Sequence, residues 1–352
     1  MLNLPSTILV TGGSGFIGSN FIRYVLSVNS TVRIINFDLL TYAGNLRNNE
    51  EVANDERYSF IRGDIADSEQ VNDLFGNYPI DVVINFAAET HVDRSIEDSS
   101  VFARTNFVGT QCLLDAARRK GVSKYVQIST DEVYGSLGPE GAFREDTPLN
   151  PTNPYSATKA AADLLVLSYA RTHGLPASIT RCSNNYGPNQ FPEKFIPLLI
   201  TNAMQGQPVP LYGEGLNRRE WIYVDDHSSG VWRAVTEAQT GGVYNIGGGA
   251  ELANIDVAKT VLRLMGKPVS LIKLVADRPA HDLRYAIDCS KINQAWGWSA
   301  ETDFTTGIEK TIEWYRENHD WVNDVKDDSY LSYYERHYTN RDQTLASFKE
   351  RT

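Results

Sequence analysis

Tyr155 and Lys159 lie four residues apart in Tyr155-Ser156-Ala157-Thr158-Lys159, a spacing that places two side chains on one helix face. A lysine ammonium beside a phenol favours the phenolate. Such a pair can strip an alcohol of its proton while the carbon is oxidised. Asn153 suits the N-cap of that helix and Pro154 its first position. Alone, the pair is a common surface pattern, and its weight comes from its neighbours. Ser129-Thr130-Asp131-Glu132-Val133-Tyr134-Gly135 reads as a strand end that turns sharply. Two adjacent carboxyl groups there can divide general-acid and general-base duties if their surroundings separate their pKa values. Standing alone, they would be two solvated turn acids.

A second locus is Thr11-Gly12-Gly13-Ser14-Gly15-Phe16-Ile17-Gly18. Gly13, Gly15 and Gly18 satisfy G-x-G-x-x-G, and Gly12, Gly15 and Gly18 satisfy the overlapping G-x-x-G-x-x-G. The segment follows a strand and opens a helix. Backbone amides at a positive helix end can then approach a pyrophosphate. Asp38 ends the next strand, twenty residues after Gly18, where it can hold a ribose 2′-hydroxyl. An acid there favours NAD, because it would repel the 2′-phosphate of NADP. The positive nicotinamide of NAD would also favour the Tyr155 phenolate. Asp64, after a third strand, and Ala87-Ala88, after a fourth, would lie along the same groove, although spacing alone leaves them as ordinary loop residues.

The elements that position these groups alternate. Thr7–Thr11, Val32–Phe37, Val82–Phe86, Tyr125–Ser129 and Ala177–Arg181 are short β-branched runs. Gly18–Val28, Ser68–Phe75, Asn106–Arg119 and Pro154–Thr172 carry helical patterns between them. This alternation predicts an α/β fold: a doubly wound, Rossmann-type parallel sheet with its crevice at the carboxyl ends of the strands. From about residue 183 the rhythm breaks at Asn184-Asn185-Tyr186-Gly187-Pro188 and again at Gly213–Arg219. A smaller C-terminal lobe is expected there, with the chain rejoining the sheet at Trp221–Val224 and Val243–Ile246. The expected division is 1–183 with about 221–248 for the dinucleotide domain and 184–220 with about 249–330 for the second lobe. Residues 331–352 form a C-terminal extension, and the last thirty residues, polar and aromatic, are expected to pack loosely.

Of the 352 residues, 33 are basic and 44 acidic, a formal net charge of -11. That balance argues against bulk nucleic-acid binding, which relies on clustered positive charge. No run approaches the ~18 apolar residues of a membrane span, and the glycine cluster begins too early to leave room for a signal peptide. Cys112, Cys182 and Cys289 are an odd, widely spaced set, so a reducing, cytoplasmic setting is expected. The six histidines form no metal-binding pattern, and no metal is expected. No G-x-S-x-G elbow accompanies the glycine loop.

The pieces TGGSGFIG, Asp38, STDEVYG and YSATK resemble the extended short-chain dehydrogenase/reductase superfamily. Ala87–Ile96 (AAETHVDRSI), Arg181–Pro188 (RCSNNYGP), Phe191–Leu198 (FPEKFIPL) and Asp277–Asp288 (DRPAHDLRYAID) extend the likeness to its 4,6-dehydratases acting on dTDP-glucose. The resemblance runs from about residue 6 to about 320. Ser14 stands where alanine is commoner and Ala280 where glycine is, neither at a position that carries chemistry. The resemblance implies Tyr155 as base for the sugar 4-hydroxyl, supported by Lys159. It implies Glu132 as acceptor of the C5 proton, Asp131 as donor to the departing 6-hydroxyl, and Thr130 as a hydrogen-bond partner near O4. Phe16, Ile17, Asp38, Leu39, Leu40, Thr41, Asp64, Ile65, Phe86, Ala87, Ala88, Glu89, Thr90, Thr105 and Asn185 would line NAD with the glycines. The nucleotide sugar would be held by Thr90, Asn184, Lys194, Phe195, Ile196, Pro197, Leu198, Leu199, Pro210, Leu211, Tyr212, Arg219, Asn254, Asp277, Arg278, Pro279, Ala280 and His281. A sugar nucleotide is dianionic, and Lys194, Arg219 and Arg278 are the cations of the second lobe. Two of them are arginines able to grip phosphate oxygens bidentately. Tyr212 could stack on the base.

Two rivals remain at this level. A 4-epimerase or a decarboxylase of the same fold shares NAD, Tyr and Lys but does not need both Asp131 and Glu132. A silent NAD-binding sensor would usually lose the Tyr/Lys pair, which is intact. Uridine in place of thymidine differs by one methyl, worth roughly 1–3 kcal/mol in a pocket. The segment Ala160–Leu167 is apolar nearly all round, so its helix needs a second burial partner. A homodimer is expected, with helices Asn106–Arg119 and Pro154–Thr172 pairing as a four-helix interface, as the resemblance also implies.

Overall fold

The structure is a computed structural model and describes residues 6–277, 281–326, 330, 332, 334 and 335. The β-branched runs become strands β1 (Thr7–Thr11), β2 (Arg33–Asp38), β3 (Tyr58–Arg62), β4 (Val82–Asn85), β5 (Lys124–Thr130) and β6 (Ala177–Cys182). Both β1 and β4 are buried at every position, as strands covered by helices on both faces must be. Strand β3 is only partly buried, because it forms one edge. Short strands follow in the second half: β7 (Asn184–Tyr186), β8 (Val209–Tyr212), β9 (Arg218–Tyr223), β10 (Val243–Ile246), β11 (Ala250–Ala253) and β12 (Ile272–Val275).

The large sheet is parallel throughout, in the order β10-β6-β5-β4-β1-β2-β3. On one face, Ile8, Val10 and Ile84 pack with Phe21 and Val231 of helices Phe16–Val28 and Val224–Glu237. On the other, Leu9 and Val83 pack with Leu74, Leu113 and Val166 of helices Ser68–Asn77, Thr110–Lys120 and Pro154–His173. The strand order reverses between β1 and β4, which opens a crevice at their carboxyl ends. At the β10 edge, alternate outward backbone groups are covered by charged side chains. Lys291 Nζ donates to the carbonyl of Val243 at 2.6 Å, and the amide of Asn245 donates to Glu145 Oε1 at 3.0 Å.

The second lobe has its own core, in which Leu199, Trp221, Val257, Val261, Ile308 and Tyr315 meet. Its sheet pairs β9 with β7 in parallel and with β11 antiparallel, and β8 runs parallel to β12. The expectation that Trp221–Val224 rejoins the large sheet is corrected here. Trp221 and Tyr223 belong to β9 and pack against Tyr186 in this lobe, whereas Val224 begins the helix that returns to the large sheet. Val243–Ile246 joins that sheet as β10.

Helix Pro154–His173 begins as its sequence suggests. Asn153 Oδ1 accepts from the Ser156 amide at 2.9 Å, the Ser156 hydroxyl reaches back to the Asn153 amide at 3.3 Å, and Pro154 follows the cap. Two helices start earlier than expected, at Phe16 instead of Gly18 and through a π-turned stretch, Ala103–Gly109, ahead of Thr110–Lys120. The tail is less loose than expected at Tyr330, which is 3% exposed and sits edge-on to Phe191. Most of 331–352 lies outside the described residues. Among these, no helix is long and apolar enough to cross a membrane.

Candidate active site

A cleft runs over the carboxyl ends of β1, β4 and β5 and continues to the second lobe. Its floor is the turn from β1 into helix Phe16–Val28. Gly12 has φ +68°, and a Cβ there would lie 2.6 Å from the Ala87 amide nitrogen, so the turn passes close to the Ala87-Ala88 segment only as glycine. Gly15 caps the helix and lines the cleft, and a Cβ on it would meet no neighbouring atom closer than Gly12 O at 3.3 Å. A side chain there would therefore occupy the cleft. No side chain caps this helix and no acid sits in its first turn, so its amides and its positive end face an approaching anion.

Asp38 ends β2 in the same cleft, 8% exposed. Its Oδ2 accepts from the Ser14 amide at 2.9 Å and its Oδ1 from the Leu40 amide at 2.8 Å. Burial raises its pKa, partly offset by those two amides. Leu40 takes φ +58°, an unusual value for a branched residue, and does not line the cleft; its amide serves Asp38. Gly12, Phe16, Ile17, Gly18, Leu39, Thr41, Asp64, Ile65, Phe86, Ala87, Ala88, Glu89, Thr90, Thr105 and Asn185 all line it. Asp64 is paired with Arg104 at 2.6 Å. The glycine cradle, the uncapped helix and Asp38 fit a dinucleotide: pyrophosphate at the helix end and adenosine ribose at the carboxylate.

The chemical end of the cleft is built on β5 and helix Pro154–His173. Thr130 closes the strand and caps the short turn Asp131–Tyr134, its hydroxyl accepting from the Glu132 amide at 3.3 Å. The turn separates the two acids. Glu132 lines the cleft, whereas Asp131 is 1% exposed beneath it and receives the Thr130 hydroxyl at 3.2 Å. Burial, then the nearby Glu132 and Glu220, hold the Asp131 carboxyl well above the usual carboxylate range, which favours its protonated form. Tyr155 is buried and shares a hydrogen bond with Thr130. Lys159, on the same helix face, donates from Nζ to the Ile128 carbonyl at 2.7 Å.

Around Tyr155, burial, then the charge of Glu132, raises the phenol well above its ordinary value, and the Thr130 hydrogen bond opposes them.

Of the residues expected to hold the sugar nucleotide, Thr90, Asn184 and Lys194 line the cleft, with Lys194 Nζ on the Thr90 carbonyl at 2.8 Å. Phe195, Ile196, Pro197, Leu198 and Leu199 open helix Phe195–Met204. Ile196 and Leu199 belong to the lobe's core, and Phe195 stacks on Trp221. Pro210 and Leu211 are buried in β8. The Tyr212 hydroxyl donates to Asp93 at 3.2 Å, and its ring stands edge-on to His281, which meets Asp277 at 2.5 Å. Arg219 lies over the Tyr285 ring, 4.4 Å from its centre, and donates to the Asp282 carbonyl at 2.9 Å. Asn254 Oδ1 is buried with no protein hydrogen-bond partner among the described residues. Arg278, Pro279 and Ala280 lie outside the described residues.

A family model described as GDP-mannose 4,6 dehydratase matches residues 9–311. The dTDP-glucose 4,6-dehydratase of Streptomyces antibioticus is 51% identical over 324 residues, covering 91% of this chain and 95% of that one. The chain belongs to the dTDP-glucose 4,6-dehydratase family. A solved dTDP-glucose 4,6-dehydratase from Streptomyces venezuelae, with NAD and TYD bound, superposes with a TM-score of 0.88. It is 46% identical, with 91% of this chain and 100% of that one covered. The UDP-glucose 4-epimerase of Thermus thermophilus, complexed with NAD, shares the fold at 29% identity and a TM-score of 0.82, over 89% and 99% of the two chains.

In this dTDP-glucose 4,6-dehydratase family member, two groups around the cleft are not foreshadowed by the sequence. Glu193, 3% exposed, pairs with Arg94 at 3.0 Å, and the Arg94 guanidinium lies 4.1 Å from the centre of the Tyr42 ring. Tyr42 and Glu193 line the cleft, yet the three residues come from distant segments and share no spacing that could reveal them. Asn106 is the other. Its Oδ1 accepts from the Glu89 amide at 2.8 Å, and its Nδ2 reaches the Glu89 carbonyl and the Thr158 hydroxyl at 3.1 and 2.9 Å. It ties the Ala87–Thr90 wall to the Tyr155/Lys159 helix. Its stretch, ARTNFVG, is of mixed composition and gave no signal in the sequence.

Proposed function

We propose that this chain carries out the reaction of its family in the described cleft: NAD-dependent dehydration of dTDP-glucose to dTDP-4-keto-6-deoxyglucose, a step of deoxysugar biosynthesis. The observation that carries this reading is the division of labour within Asp131-Glu132. One acid is buried with its carboxyl pKa raised, the other faces the cleft, and both stand beside Thr130 and Tyr155. Epimerisation or decarboxylation does not require such a pair.

In the proposed sequence, Tyr155 takes the proton of the 4-hydroxyl while Thr130 orients that oxygen. When bound, NAD supplies the oxidant for C4, the reductant for C6 and a positive charge that favours the Tyr155 phenolate. The 4-ketone acidifies C5, and Glu132 removes that proton. Asp131 donates its proton to the 6-hydroxyl, which leaves as water. As C6 receives its hydride, Glu132 gives a proton back to C5, and the proton taken up by Tyr155 is released to solvent while Asp131 regains one, so all three side chains are reset and no external oxidant or reductant is consumed. Gly12, Gly15 and the helix amides would hold the pyrophosphate, and Asp38 the ribose. Lys194, Arg219 and Asn254, with Thr90 and Asn184, would hold the sugar nucleotide from the second lobe. We divide the chain accordingly into 1–183 with about 224–248, and 184–223, which includes β9, with about 249–330. Incubation with dTDP-glucose should give a product lighter by one water, at a higher kcat/KM than with UDP-glucose. A product of unchanged mass would overturn this reading.

We also propose that the enzyme is a homodimer working in a reducing, cytoplasmic compartment, in keeping with its three unpaired cysteines. Leu164 is 59% exposed on helix Pro154–His173, and Val101 and Val108 are exposed on the neighbouring helical stretch. Together they leave an apolar surface next to the cleft, suited to a second copy. Sedimentation showing only monomer at micromolar concentration would refute the dimer.

A further inference from the structure

We propose that Asp163, clamped by Arg181, is a positioning residue that keeps the Lys159 ammonium charged beneath the cleft. Lys159 is 4% exposed, and water contributes little to holding its charge. Asp163 follows it by one helical turn in Pro154–His173 and is 0% exposed, so the two side chains share a face. Its Oδ2 accepts from Arg181 Nε on β6 at 2.9 Å, whereas its Oδ1 is buried with no hydrogen-bond partner among the described residues. The guanidinium of Arg181, 3% exposed, lies 4.7 Å from the centre of the Tyr134 ring. Tyr134 is in turn anchored by its hydroxyl to Asn245 Oδ1 at 2.8 Å.

The arrangement runs from the β10 edge of the sheet, through Asn245, Tyr134 and Arg181, to a carboxylate under the catalytic helix. An isolated buried carboxylate tends to take up a proton, and a buried ammonium to lose one. A row of cation, anion and cation lets each charge hold its neighbour. Burial lowers the pKa of Lys159, and the charge of Asp163 opposes that fall. Cys182 on β6 also faces the lysine, but burial pushes its thiol up to about 12, leaving it neutral in the working range. The remaining titratable groups at this end of the site include Tyr155 on the same helix and Asp131 and Glu132 at the end of β5, and burial raises Tyr155 and Asp131, favouring their neutral forms. Of the two side chains acting on Lys159, Asp163 is the carboxylate, and Arg181 holds it in place. The salt bridge therefore does more than join helix to strand: it fixes a charge one helical turn from Lys159.

This inference rests on Lys159 being the partner of Tyr155, and its test keeps the two claims apart. In protein labelled with 13C-lysine, the Lys159 Cε resonance, assigned by its loss in Lys159→Met, is followed against pH. Asp163→Asn preserves the shape and the Arg181 hydrogen bond but removes the charge. Its Lys159 midpoint should fall by at least one pH unit, and the alkaline limb of kcat should move down with it, with KM for dTDP-glucose nearly unchanged. Asp163→Glu should restore much of both. An unchanged Lys159 midpoint in Asp163→Asn overturns the proposal, even if the melting temperature drops. Should Asp163→Asn not fold, Arg181→Lys and Arg181→Gln serve instead. The lysine variant should keep the midpoint and the glutamine variant lower it, and equal midpoints overturn the proposal. If Lys159→Met leaves kcat intact, the catalytic reading of Lys159 fails while the measured coupling stands.

Discussion

Asp131 and Glu132 are neighbours in sequence with opposite surroundings, and this difference makes their roles separable by single substitutions. Glu132→Gln keeps the side chain's shape and hydrogen bonding but cannot take the C5 proton. Oxidation at C4 should still proceed, read as absorbance of reduced nicotinamide in the enzyme. Solvent deuterium should no longer enter C5, and product formation should fall by about 10²–10⁴, the usual scale of a lost general base. Equal slowing of both steps, or intact exchange at C5, would transfer the base role to Asp131. Asp131 carries a second consequence, for stability. Its carboxyl pKa is raised in the folded protein, mainly by burial. Its contribution is therefore complete below the ordinary carboxylate pKa and is lost as pH rises through the folded value. Asp131→Asn carries no such loss. It should be catalytically crippled, yet its melting temperature relative to wild type should improve steadily as pH is raised from 4 toward and above neutrality, which a thermal-melt series against pH will show.

Individual elements hide other titrations. His227, on helix Val224–Glu237, is 0% exposed, and neither ring nitrogen has a hydrogen-bond partner among the described residues. Burial drives its pKa from the ordinary 6.5 down to about 3. A base depressed on folding gives stability that is present above 6.5 and drains away as pH falls toward 3. His227→Leu should flatten the acid side of the stability profile, and denaturant midpoints at pH 7 and 4.5 will differ less in the variant than in wild type. Nothing in the sequence singled out this histidine, because its significance is its burial. By contrast, the glycine turn, Asp38, Thr130 and the Tyr155/Lys159 helix were legible, since each depends on short-range spacing beside one strand end. What escaped depends on long-range assembly. β9 was misplaced because an apolar run does not say which sheet it joins, and Arg94, Tyr42 and Glu193 meet only once both lobes are built. The π-turned stretch before Thr110–Lys120 has no compositional mark, although it carries Asn106 to the Ala87–Thr90 wall.

At the scale of the whole molecule, cofactor choice follows from how the cleft is walled. Asp38 is nearly buried, and both of its oxygens are fixed by backbone amides, so it cannot swing aside for a phosphate. Stripped enzyme should bind NAD far more tightly than NADP. Asp38→Ala should narrow the gap chiefly by weakening NAD, and titration of the stripped protein with both cofactors will measure it. Comparable affinities in the wild type would rule out the role given to Asp38. The large sheet also ends in an edge strand, and the pair Glu145 and Lys291 over β10 bears on how the protein behaves in a crowded solution. A bare strand edge is a template that another chain can extend, and it leads to aggregation. With an ammonium on one outward carbonyl and a carboxylate on the next outward amide, a second strand would have to displace two hydrated charges to dock. A Glu145→Val, Lys291→Met double variant should keep its kcat, since neither residue approaches the cleft. It should also scatter light increasingly with concentration and time, while the wild type stays clear: the two charges make a long parallel sheet safe to store.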